Sequence, residues 1–162
     1  MPYNGLAKTP PMGWNSWNLF AQKIDDQTAM NIAPNMSLWA LSAAPLLAGN
    51  DIRTMSAVTR SILLNKEVIA VDQDVLGKQA SPVKNGDMET WVKPLADGSV
   101  AVGVVNLGSG AKRATVKAGD LQLRKVGKAR DLWAHKDVKF TDDAYSATVP
   151  SHGVLMLRVS AK

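Results

Sequence analysis

Apolar and polar positions along the chain follow two regimes that change near residue 80. Before it, apolar residues come in helix-length blocks and one short continuous run; after it they alternate with polar ones at a period of two. In the first regime, residues 12–17 read as a short strand ending in a loop. Residues 19–28 are weakly helical, with Phe20 and Ile24 four apart. Over 30–35 the pattern is lost, and Pro34 is expected to stop any helix entering from either side. Residues 36–44 form a helix apolar nearly all round, which calls for burial on several sides. The run Pro45-Leu46-Leu47-Ala48-Gly49 suits a buried parallel strand that delivers Asn50-Asp51 at its carboxyl end. Ser56 is placed to cap a helix over 57–64 with Val58, Ile62 and Leu63 as its stripe, and 66–74 continue as a short helix or loop.

In the second regime, residues 89–94 and 100–107 flank Asp97-Gly98 and predict a hairpin. Further short strands are expected over 112–116, 120–123, 129–133, 138–140, 145–149 and 154–159, separated by Gly, Asp and Pro. Regular short strands with turn residues between them predict an antiparallel sandwich. The fold class is therefore α+β: helices and a short apolar strand over 1–78, then a carboxyl-terminal antiparallel β-sandwich over 79–162.

Charge separates the same two pieces. The net charge is +5; residues 1–80 hold six Lys/Arg and six Asp/Glu, and residues 81–162 hold thirteen and eight. The basic excess is scattered singly along strands with no basic block or aromatic ladder, which argues against a nucleic-acid partner. The longest apolar stretch, 38–49, is broken by Ser42 and Pro45 and is too short to cross a bilayer. Residues 1–8 have neither the basic start nor the apolar block of a secretory signal, so either the chain stays inside or a leader has been removed. With no Cys there is no disulfide framework and no thiolate chemistry.

The densest candidate chemistry is Pro11-Met12-Gly13-Trp14-Asn15-Ser16-Trp17-Asn18. Trp offers a flat apolar face to the C–H side of a sugar ring, and Asn offers paired donors and acceptors to its hydroxyls. The same residues are also compatible with a strand start whose Trp side chains fill a core. His135 and His152 fall in sandwich turns with no nucleophile motif beside them, and two separated His with scattered acids lack metal-ligand spacing. Neither a metal nor a cofactor is indicated.

Taken together, Asn4-Gly5-Leu6-Ala7 with Thr9 through Asn18 resembles the first barrel strand of the melibiase-type α-galactosidases. Ser37-Leu38-Trp39-Ala40, Ala43 through Asp51 and Asn65 through Asp74 resemble the seventh helix, eighth strand and closing helices of that barrel. Trp91 through Ser99, Asp131 through Lys136 and Val149 through Val154 are similar to its terminal sandwich. The resemblance implies a retaining glycosidase acting on terminal α-galactosides, with a partial (β/α) barrel fragment over 1–78 ahead of the sandwich over 79–162. It also implies that Trp17 forms an aromatic wall of the sugar subsite. Asp51 matches the family's Asn-Asp after the eighth strand and reads as a loop-fixing hydrogen-bond acceptor at the substrate rather than an acid in the reaction.

The departure from the family is internal. An eight-stranded barrel needs ~250 residues, and strands two to seven have no counterpart between Asp26 and Met36. The motifs that carry the family's nucleophile and acid/base belong to that part, so no catalytic residue is assigned. A retaining glycosidase needs two carboxyl groups about 5–5.5 Å apart, and the sequence offers no source for them. This leaves a hydrolase by resemblance that is expected to be inactive alone, or a non-catalytic sandwich module binding carbohydrate or a protein partner. Without flanking strands, the 1–78 segment is expected to expose apolar faces, fold loosely and favour self-association.

Overall fold

The computed structural model describes residues 26–46 and 53–162, with side chains from residue 32 onward. Its helices are α1 (Asp26–Leu41), α2 (Ala57–Leu63) and α3 (Lys66–Asp72). Eight strands follow: β1 (Ser81–Lys84), β2 (Met88–Pro94), β3 (Val100–Asn106), β4 (Lys112–Lys117), β5 (Val126–Asp131), β6 (Lys136–Val138), β7 (Ala144–Val149) and β8 (Val154–Ala161). Six of them form one antiparallel sheet in the order β1-β2-β3-β8-β5-β6, and β4 pairs with β7 in a second.

Alternation along the strands decides what covers each face. In β3, Val100, Val102 and Val104 point toward β4 and β7 and join Ala114, Val116 and Val149 in one core. Ala101 points the other way and joins Met156 and Leu132 beneath the helices. Every residue of β3 is buried, because this central strand is covered on both sides. The molecule is thus three layers, helices on a six-stranded sheet on a two-stranded sheet. The α+β class with a sandwich follows from the pattern read above.

The helical layer runs through Pro34, against the expectation that this residue would end it. A proline ring has no N–H for the preceding turn and costs a helix interior about 3 kcal/mol. Here Ile32, Met36, Ala40 and Leu41 of the same helix are buried against the sheet, and Pro34 is buried with them. Burial of a large aliphatic side chain contributes roughly 1.5–3 kcal/mol each, so the apolar face outweighs the lost bond. Residues 32–46 and 53–72 therefore have a covering partner in the sheet. Their apolar stripe sits on the sheet, and looseness is not what this packing implies for them.

Smaller corrections have local causes. Residues 120–123 do not form a strand: a 3₁₀ turn spans Ala118–Leu121, closed by Gln122 at φ 57°. Val58 of α2 is exposed while Thr59 is buried, because Thr59 packs inward with its N–H on the Ser56 cap at 3.1 Å. Strand β1 is fully exposed and carries Pro82, so no alternation announced it. Pro45 and Leu46 form no regular element, and 47–49 lie outside the described residues.

At the centre of the helix–sheet contact, Gly103 leaves room for Leu41. A Cβ on Gly103 would lie 2.5 Å from Leu41 Cδ1. Leu41→Ala is expected to cost about 2–5 kcal/mol by urea denaturation, and Gly103→Ala about 1–3 kcal/mol from overpacking. The double variant should cost less than the sum, since the new methyl enters the vacated space. Strict additivity would mean that the two residues do not share this contact.

Candidate functional site

The two sequence-predicted sugar residues, Trp17 and Asp51, lie outside the described residues. What the structure does place is the seam on which the helices meet the sheet, and its polar groups are unusually well engaged. Lys93 belongs to the apolar-alternating strand β2, yet its side chain is fully buried. Its Nζ donates to the Ala40 carbonyl at 2.8 Å, at the carboxyl end of α1 where helix carbonyls lack intrahelical donors. The Ala80 N–H donates to the Leu41 carbonyl beside it at 2.8 Å. Together they hold the helix end from which the chain leads toward Asp51.

Asp72 and Asp74 close α3 near this lysine. Burial pushes the Lys93 ammonium below its ordinary pKa, and the charges of Asp72 and Asp74 pull it back up. Burial likewise raises the Asp72 carboxyl, while Gln73 and Lys93 lower it. Asp72 is 6% exposed; Oδ2 accepts from Gln73 Nε2 at 2.5 Å, and Oδ1 has no partner among the described residues. Asp74 Oδ1 accepts from Leu76 N at 3.1 Å and from Ala96 N at 3.0 Å, tying the end of α3 to the β2–β3 turn.

On the other side of the seam, Asn65 caps α3 by accepting from Glu67 N and Val68 N, and its Nδ2 donates to the Leu132 carbonyl at 2.9 Å. One side chain thus starts a helix and docks it. Trp133 Nε1 donates to Ser37 Oγ at 2.9 Å, and that hydroxyl donates to the Ala33 carbonyl at 2.8 Å. Arg130 grips Glu67 with two bonds, Nε to Oε2 at 2.7 Å and Nη2 to Oε1 at 2.9 Å, while His135 Nδ1 lies 2.8 Å from Oε1. The Arg130 bond, with help from His135, holds the Glu67 carboxyl down at about 2.

The chemistry of this seam is docking. Asp74 and Glu67 are committed to backbone or guanidinium donors, and Asp72 faces Gln73 and a lysine rather than a second carboxyl group. Among the described residues no group of three or more His, Asp or Glu could hold a metal. His135 serves the Glu67 contact, and His152 sits at φ 52° in the turn between β7 and β8. Sequence reading missed Lys93 because a lysine in an alternating strand ordinarily marks the solvent side. Its one visible signal is its place in register with Trp91 and Leu95, both on the helix-facing side.

Two outcomes follow. Lys93→Met should cost about 3–5 kcal/mol, as removal of one member of a buried charged group does, and Asp72→Asn in the same chain should recover part of it; a loss below 1 kcal/mol would deny the lysine this role. Glu67 has a folded pKa below its unfolded one, so its contribution is complete above the ordinary value of 4.5 and is lost as pH falls toward about 2. Glu67→Gln should flatten the acid limb of stability in that window. An unchanged acid limb in the variant would contradict this.

Comparison with known proteins agrees with the layers. A family model described as the α-galactosidase C-terminal β-sandwich domain matches residues 85–159, and one described as α-galactosidase A matches residues 26–74. An α-galactosidase of Cyamopsis tetragonoloba is 38% identical over 149 residues, covering 90% of this chain and 36% of its own length. One from Coffea arabica is 44% identical over 128 residues, covering 77% and 34%. Among solved structures, α-galactosidase I from Mortierella vinacea superimposes with a TM-score of 0.77 at 27% identity, over 89% of this chain and 38% of that one. A GH27 β-L-arabinopyranosidase from Geobacillus stearothermophilus does so with a TM-score of 0.76 at 28% identity, over 82% and 30%. The chain spans between a third and two fifths of the length of these curated relatives. In sequence and in fold, it belongs to the melibiase-type α-galactosidase family.

Proposed function

We propose that the chain derives from a retaining glycoside hydrolase of terminal non-reducing α-D-galactosyl residues, and that alone it does not turn substrate over. The observation that carries this is what the sequence lacks: the family's first-strand motif stands at 4–18, the α-galactosidase A model matches without a break from residue 26 rather than leaving a gap between Asp26 and Met36, and no stretch of the chain carries the motifs of the nucleophile and acid/base. The carboxyl groups of the seam support the reading, since they are engaged in docking α3 and face no cleft partner. In this reading Trp17 and Asp51 are sugar-side residues, a wall and a loop-fixing acceptor, without the attacking group between them. Residues 1–78 are the barrel-derived part and 79–162 the sandwich.

The substrate class is a galactoside or a sugar that shares its ring. β-L-Arabinopyranose has the ring configuration of α-D-galactopyranose without the hydroxymethyl arm, so both sugars belong in the test. The alternative of a non-catalytic module that holds carbohydrate or a protein partner draws on the completeness of the eight-stranded part. The purified chain at high concentration should release no chromophore from an aryl α-D-galactoside or an aryl β-L-arabinopyranoside, and an Asp51→Ala variant should match it. Turnover by the parent that the variant loses would overturn the proposed inactivity. A saturable sugar-induced shift without turnover would favour the binding module.

A further inference from the structure

We infer that Asn85 is a site of spontaneous deamidation in the folded protein, on the loop that joins the edge strand β1 to β2. The chain has two Asn-Gly pairs, Asn4-Gly5 and Asn85-Gly86. Asn85, Gly86 and Asp87 are all exposed. Neither the Asn85 side chain nor the Gly86 backbone N–H has a hydrogen-bond partner among the described residues. The attacking nitrogen and its target are therefore both free. Gly86 has φ 119°, and a Cβ built there would meet nothing within 4 Å, so neighbouring atoms do not restrain the backbone rotation that ring closure requires.

The step is balanced with water as the only co-reactant. The deprotonated Gly86 backbone nitrogen attacks Asn85 Cγ, the Cγ–Nδ2 bond breaks, and ammonia leaves carrying the proton that the nitrogen gave up. Water then opens the five-membered imide at either carbonyl. One opening gives an ordinary aspartate at this position with the original backbone; the other gives isoaspartate, whose main chain runs through Cγ and is longer by one methylene.

The other described Asn side chains are held away from this chemistry. Asn65 is buried at its cap and docking bonds, and Asn106 is buried, with Nδ2 donating to the Gly110 and Pro150 carbonyls. Asn35 lies inside α1, where the helical backbone holds the following nitrogen, and is followed by the bulky Met36 rather than Gly.

Location gives the change a consequence. Asp87 is paired with Lys112 at 2.6 Å and Lys84 with Asp120, so a carboxylate at residue 85 enters a loop already set by two ion pairs. β1 begins directly after Ala80, whose N–H holds the end of α1. A lengthened backbone at residue 85 relaxes the register of β1 on β2 and weakens this tie between helices and sheet.

Peptide mapping by mass spectrometry after incubation of the folded chain at mildly alkaline pH tests the inference, with a synthetic peptide spanning residues 81–90 as the unstructured reference. Asn85 should convert to a mixture of aspartate and isoaspartate at a rate within about tenfold of the peptide, as expected for an unrestrained Gly backbone. Asn35, Asn65 and Asn106 should stay intact over the same period. Gly86→Ala should slow conversion in the peptide and in the protein alike, which separates loss of reactivity from any disturbance of the loop. Conversion of Asn85 only after urea is added, or no faster than that of Asn35, would overturn the inference.

Discussion

The constraint on which the molecule depends is a six-stranded sheet whose central strands, β3 and β8, carry buried apolar residues on both faces. A sheet of that kind must be covered twice, because either bare face would present a continuous hydrophobic surface to water. The β4–β7 pair covers one side through Val116 and Val149, and the helices cover the other through Ile32, Met36, Ala40 and Leu41. Once both layers are required, the particular contacts follow. Gly103 must lack a side chain so that Leu41 can reach the strand, and β3 is apolar from Val100 to Val105 with the buried Asn106 at its end satisfied by hydrogen bonds.

The polar groups of the seam convert that requirement into a fixed orientation. Hydrophobic burial has no direction, so it alone would let α1 slide on the sheet. Lys93 on the Ala40 carbonyl, Trp133 on Ser37, Asn65 on the Leu132 carbonyl and Arg130 on Glu67 each fix one point of the helical layer. The sheet side thereby holds α1 at its carboxyl end and α3 at its start.

Much of this is legible in the sequence, and the failures have physical reasons. The β2–β3 hairpin is visible because apolar residues alternate around Asp97-Gly98, and the α2 start because Ser56 precedes an apolar run. Local propensity cuts the α1 helix short because Pro34 weighs heavily in it, whereas burial against a sheet more than fifty residues distant outweighs it. Residues 120–123 have the pattern of a strand, yet the Asp120 carboxylate accepts from Lys117 N and starts a 3₁₀ turn instead. Lys93 is hidden because its charge says surface while its register says core. The sugar-side assignments of Trp17 and Asp51 rest on the family motif alone.

The central claim is that residues 32–46 and 53–72 and the six-stranded sheet form one cooperative unit rather than a sandwich with an appendage. Native-state hydrogen exchange, followed at increasing denaturant, measures this directly at the amides of Ala40, Val68 and Val71 and of Val102, Val104 and Leu157. The account predicts that the two sets merge into one opening with a single free energy. Helix amides that exchange through a separate, lower-energy opening while the sheet remains closed would contradict it.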